Sequence, residues 1–173
     1  MTGAEDQSAG EGDEATLQAP GPISTPEELL FRQVHPTQRQ GGVLSSAMFI
    51  PTPDDEDQLS VDRKSLTTAK DSFELFTGNG LASVAVVGVT VGEFGKEGLP
   101  CHPDPLPATG TLKANPAHAY VDYSGATGTN KRKRMAQRLR TVAAGRGILH
   151  PPKALVRAEL IRCCASSSTP ASG

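Results

Sequence analysis

The clearest hydrophobic signal in this chain is the run Leu81 to Val91, apolar and β-branched almost throughout with no polar alternation. A strand of that kind needs cover on both faces, so it is expected to be the central strand of a sheet. Leu29 to Val34 reads as a second strand, stopped where His35 meets Pro36. Gln58 to Asp62 alternates Leu59 and Val61 with Ser60 and Asp62, the pattern of a half-buried strand. Ala117 to Tyr123 is a fourth. Two helices are expected. Over 67–77, Ala69, Phe73 and Phe76 share one face and Gly78-Asn79-Gly80 ends the helix. Over 130–144, with Thr129 or Asn130 as cap, Met135, Leu139, Val142 and Ala143 form the apolar stripe.

The shorter segments complete the pattern. Ser24-Thr25-Pro26-Glu27-Glu28 combines a hydroxyl cap, a proline and two acids, as a brief helical start does. Gly41-Gly42 is a flexible break, and Ala47 to Ile50 is an apolar run halted by Pro51. Gly92 to Gly98 suits a short helical turn, and Pro100 to Pro116, with five prolines, an extended loop. Ile148 to His150 reads as a last strand, and Lys153 to Cys164 as an amphipathic helix. The fold class that follows is α+β: a small mixed or antiparallel sheet with two packed helices.

Composition sets the size of that core. The chain has 173 residues, with 18 Gly, 14 Pro and no Trp, so the core is modest and built mainly of Val, Leu, Ile and Ala. Residues 1–22 are expected to be a disordered acidic head, 23–152 a single domain, and 153–173 a basic tail that ends disordered. No apolar stretch is long enough for a membrane helix and no apolar leader region is present. No membrane partner and a cytoplasmic location are the expectation.

The net charge of -2 conceals an asymmetry. Residues 1–22 carry five acids and no base. From Ala126 onward, ten bases face one acid, Glu159. Most of the bases lie in the second helix, as Lys131, Arg132, Lys133, Arg134, Arg138 and Arg140. Cations at a helix start oppose the macrodipole and repel one another. They therefore do not stabilise the helix itself. Nucleic acid or another polyanion would use Lys131, Arg132, Lys133, Arg134 and Arg138. A solvated face, or contact with the chain's own acidic loop Asp54–Asp57, is the favoured account of them. No aromatic residues interleave with these bases, which argues against a single-strand stacking platform.

The segment from about Glu28 to Tyr123 resembles a group of small bacterial proteins for which no activity is established. The residues that carry the resemblance are ELLFRQVHP (28–36), FIPTPDDEDQLSVDR (49–63), TTA (67–69), VTVGEFGKEGLP (89–100), DPLP (104–107) and NPAHAYVDY (115–123). The resemblance implies bacterial origin and a single domain, and no chemistry.

Candidate chemistry is sparse. Cys101 and the adjacent pair Cys163–Cys164 form no CxxC and read as reduced thiols, and His35, His102, His118 and His150 lack metal-ligand spacing. Neither a metal nor a cofactor is expected. There is no GxSxG, GxGxxG or GxxxxGK[ST]. Arg32 and His35 at one strand end, beside Ser45 and Ser46, are the weak catalytic candidates, with Arg32, His35 and Ser46 as the set that could hold an anion or begin acid–base chemistry. The balance favours a non-enzymatic module that binds a protein partner, as a component of a small bacterial operon. Nucleic-acid binding through 130–146, and a small enzyme at Arg32, His35 and Ser46, are the alternatives.

Overall fold

The structure is a computed structural model that describes residues 21–151. The expected acidic head, the 153–164 helix, and Cys163 and Cys164 lie outside those residues, apart from the last two positions of the head. Among the described residues there are seven strands: β1 (Leu29–Val34), β2 (Arg39–Gln40), β3 (Val43–Leu44), β4 (Gln58–Arg63), β5 (Ala85–Thr90), β6 (Cys101–Pro103) and β7 (His118–Asp122). Three α-helices accompany them: α1 (Ala69–Gly78), α2 (Val91–Lys96) and α3 (Thr129–Arg146). Five strands form one antiparallel sheet in the order β5-β1-β4-β7-β6, and β2 pairs with β3 as a separate hairpin. This is the α+β class that the hydrophobic pattern predicts. Among the described residues no helix is long and apolar enough to cross a membrane.

The strand expected at the centre is instead at the edge. Among the described residues β5 pairs along its whole length with β1 alone, and on its other side a single bridge, Val86 to His150, continues the ladder. β4 is central. The inference from composition was right about burial and wrong about position. Ala85 to Val89 are all buried. Ala85, Val87 and Val89 enter the main core, while a Cβ on Gly88 would meet Leu29 and Leu149 at 2.9 and 2.8 Å. Cover on both faces makes a strand read as continuously apolar. It does not require a neighbour on both edges.

Each helix has its local cause. Thr68 caps α1, accepting from the Asp71 backbone N–H, and Thr90 forms a capping box with Glu93 at the start of α2. α3 starts after Gly128, at φ 91°, rather than from a side-chain cap. It buries Met135, Ala136, Leu139 and Ala143 against the sheet. Phe49, Phe94 and Tyr123 fill the same layer, and the Tyr123 hydroxyl donates to the Phe49 carbonyl at 2.6 Å. Met48 and Phe49 arrive there on a single 3-10 turn, Ser46–Phe49.

Two loop assignments change. Gly41 and Gly42, at φ 55° and 82°, are the tight turn between β2 and β3, the geometry a two-residue hairpin requires. The 100–116 segment is not wholly extended loop: Cys101–Pro103 pairs with β7, and Leu106–Asn115 and Thr109–Leu112 bridge across a small hairpin. Residues 24–28 make a turn, in which the Glu28 N–H donates to the Thr25 carbonyl, and no helix.

Candidate functional site

α3 covers one face of the sheet, and Leu30, Val34, Leu59, Val61, Ala119 and Val121 point into that layer. Period-two alternation sends Phe31, Gln33, Ser60, Asp62 and His118 to the other face. α1 covers that face at the β5–β1 end. Toward β7 the cover is the 106–115 hairpin, which arches over the sheet as a flap. Asn79, at the C-terminus of α1, holds the flap. Its Oδ1 accepts from the Lys113 N–H at 2.9 Å, and its amide donates to the Lys113 carbonyl at 3.4 Å.

Sheet, helix and flap enclose a cavity of about 500 Å³. Phe31, Leu75 and Phe76 supply apolar walls. Leu81, Leu106 and Leu112 also line it while remaining 50%, 43% and 48% exposed. They are three of the five large hydrophobic side chains that the described residues leave exposed. A concave, mainly apolar space of this size with a few polar groups is the usual form of a small-ligand site.

The polar groups are held by a continuous network. Ser83 Oγ donates to Gln33 Oε1 at 2.9 Å, and Gln33 Nε2 donates to Ser72 Oγ at 2.8 Å. Ser72 Oγ donates to Asp62 Oδ2 at 2.5 Å, and Asn115 Nδ2 donates to Asp62 Oδ1 at 2.8 Å. The network ties α1 and the flap to the two middle strands. Asp62 is only 6% exposed and Gln33 7%. Both partners of Asp62 are donors, as an ionised, acceptor-only carboxylate requires.

Arg32 borders the cavity but faces the α3 layer. The β1–β4 ladder ends at Phe31–Asp62. Beyond it the Arg32 guanidinium bridges the strands, donating to the Ser60 carbonyl at 2.8 Å and the Met48 carbonyl at 2.9 Å. Burial lowers its pKa, and the nearby carboxylates of Asp55 and Asp62 oppose that. His35 lies elsewhere in role: exposed, it caps the turn 36–38 and its Nδ1 stands 2.8 Å from Thr37 Oγ1. Ser46 begins the turn that carries Met48. Of the three catalytic candidates only Arg32 lines the cavity. His118 also lines it, and its Nδ1 meets the Asp104 backbone oxygen at 2.8 Å and the Asp104 carboxylate at 3.1 Å.

The basic residues of α3 divide into two sets. Arg132 donates to Asp57 at 2.5 Å and to the carbonyls of Ala126 and Tyr123 at 2.6 and 3.1 Å. Arg138 donates to Glu97 at 2.7 Å, and Arg146 to Glu93 at 2.9 Å and to the Gly88 carbonyl at 2.6 Å. These three fasten α3 to the body of the fold, and Arg132 does so partly through the acidic loop. Lys131, Lys133, Arg134 and Arg140 make no ion pair among the described residues. A second cavity of about 530 Å³ lies between α2 and α3; of its charged lining, Glu97 pairs with Arg138 and Glu93 with Arg146 beside it, while Lys96 and Arg134 form no ion pair among the described residues.

Asp62, Asn115, Asn79 and Ser72 were not legible as site residues. Asp62 reads in sequence as the solvent side of a half-buried strand. α1 and the flap bury it. Cys101 is buried, and burial, with a smaller effect of Glu28, pushes its thiol up to about 12, so it offers no thiolate near neutral pH. The described residues contain no cluster able to hold a metal. Comparison with protein-family models, with curated proteins and with solved structures finds no match to this chain.

Proposed function

We propose that this chain is a non-enzymatic binding module, and that it takes a small amphipathic ligand into the cavity beneath the 106–115 flap. One observation carries the reading: three exposed leucines from two separate segments, Leu81, Leu106 and Leu112, converge on one concave space. Exposed large apolar groups that cluster at a cavity mark binding sites, whereas scattered ones need no explanation. The flap is attached by side-chain hydrogen bonds at Asn79 rather than by a packed core, which suits entry and exit of a ligand.

The chain has no Trp, so L112W places the sole indole at the cavity mouth. Titration of that variant with the neutral dye N-phenyl-1-naphthylamine is expected to give saturable energy transfer at one dye per chain. L106D, which puts a charge on the apolar wall, is expected to weaken dye uptake by the wild-type chain at least tenfold. Uptake unaffected by L106D, or no uptake, would count against the cavity as the binding site.

The protein partner expected from sequence is the second reading. The same exposed leucines favour it, because a partner could seat an apolar side chain among them. The polyanion reading rests on Lys131, Lys133, Arg134 and Arg140 alone, since Arg132 and Arg138 are engaged within the fold. It predicts duplex affinity that falls steeply between about 50 and 200 mM salt.

A further inference from the structure

We propose that the ligand of the flap-covered cavity carries a primary ammonium group on an apolar body, and that Asp62 is its counter-ion. The inference rests on the cavity being the binding site and adds the chemistry of the occupant. Asp62 lines the cavity at 6% exposure and forms no ion pair among the described residues. A carboxylate taken out of water without a cation is costly, and neutral donors offset only part of that cost. Two neutral donors, Ser72 and Asn115, occupy one position on each oxygen. A carboxylate has about four lone-pair positions, so each oxygen retains one.

No nearby cation bonds the Asp62 carboxylate, although the charge of Arg32 acts on it without contact. The Arg32 guanidinium is directed to the carbonyls of Met48 and Ser60, and its largest favourable charge interaction is with Asp55. His118 turns its Nδ1 to Asp104. Lys113 belongs to the exposed part of the flap. The interior therefore has apolar walls and one carboxylate with acceptor capacity left. An ammonium has three donors and no acceptor, and an alkyl or aryl body fills the space among Phe31, Leu75, Phe76 and Leu106. A ligand bearing a carboxylate at the same place would face Asp62 as a like charge.

The test uses three molecules with one body and three heads: hexylamine, hexanol and hexanoate, titrated calorimetrically into the full chain at pH 7. Hexylamine is expected to bind at least tenfold more tightly than hexanol, and hexanoate more weakly than both. In D62N, whose amide oxygen can accept from Asn115 while its NH2 donates to Ser72 Oγ in a reversed bond, the preference for the amine over the alcohol is expected to vanish while hexanol binding persists. Hexanol and hexylamine binding equally to the wild-type chain, or hexanoate binding best, would overturn the ammonium assignment and leave the cavity standing as the site. An amine preference that survives in D62N would remove Asp62 from the role. If none of the three binds, both this inference and the cavity reading fall. The wild-type series decides the ligand class even where D62N does not fold.

Discussion

Several side chains in this molecule act by satisfying a backbone carbonyl. Tyr123 is fully buried and donates to the Phe49 carbonyl at 2.6 Å, and burial pushes its phenol up, so it stays a donor. Y123F preserves the ring and strands that carbonyl. An unmade buried hydrogen bond costs about 1–3 kcal/mol, so urea unfolding of Y123F should show a lower midpoint with an unchanged slope. An unshifted midpoint would mean water replaces the phenol. Arg32 and Arg132 follow the same logic with charged donors, which is why two arginines that look functional in sequence are structural in most of their contacts. His35, exposed at a turn cap, is the simplest instance of a residue whose chemistry the local backbone uses.

At the scale of elements, α1 and the flap behave as a pair. α1 buries only Ser72 fully and leaves Phe73 and Phe76 half-buried, so its apolar face is incompletely matched by the sheet. Phe73 packs on His150, with ring centroids 5.0 Å apart, and Phe76 faces the cavity. The flap closes the remainder through Asn79 and Asn115. Removing the first clamp with N79A should leave global stability nearly intact but raise amide hydrogen exchange selectively over residues 106–115. Local opening draws on the least stable units of a fold. Uniform protection across wild type and variant would show that Asn79 does not hold the flap. α3 is a contrast: Arg132, Arg138 and Arg146 tie it to Asp57, Glu97 and Glu93, and the contact with Asp57 is the one to its own acidic loop that the sequence offers beside a polyanion surface.

Over the whole molecule, ion pairs join segments distant in sequence. Arg63 holds Glu28 through two hydrogen bonds of 3.0 and 2.9 Å, with Ser65 as a third partner. The Arg63 bonds hold the Glu28 carboxyl below its ordinary value of 4.5 although burial opposes them. Burial also raises Glu93, but Arg146 and Thr90 more than offset it and leave that carboxyl lowered. Between the ordinary and the lowered pKa, the unfolded chain binds protons that the folded chain does not. Stability from these groups is therefore complete above about pH 4.5 and is lost as pH falls through the folded values. Denaturant midpoints measured from pH 7 down to pH 3 should fall for the wild-type chain and fall less steeply for E28Q. Parallel curves would exclude Glu28 as a contributor.

Sequence by itself determined what depends on neighbours along the chain. The β1 boundaries, the pairing of Gly41 and Gly42 with a break in the chain, the α1 and α3 stripes, and the two-sided burial of β5 all follow from periodicity, caps and β-branching, which are local. Tertiary structure alone decided what depends on which segments meet. It placed β5 at an edge, because apolar composition reports cover above and below a strand and says nothing about its lateral neighbours. It recruited Cys101–Pro103 to the sheet, because β7 offered a partner. It buried Asp62, because the alternation of β4 marks which residues share a face and cannot say that α1 and a proline-rich hairpin will cover it. The candidate site lies on that face: its carboxylate, its flap clamp and its exposed leucines come from three separate stretches of chain, at Asp62, at Asn79–Leu81 and in the 106–115 flap, and no spacing in the sequence connects them.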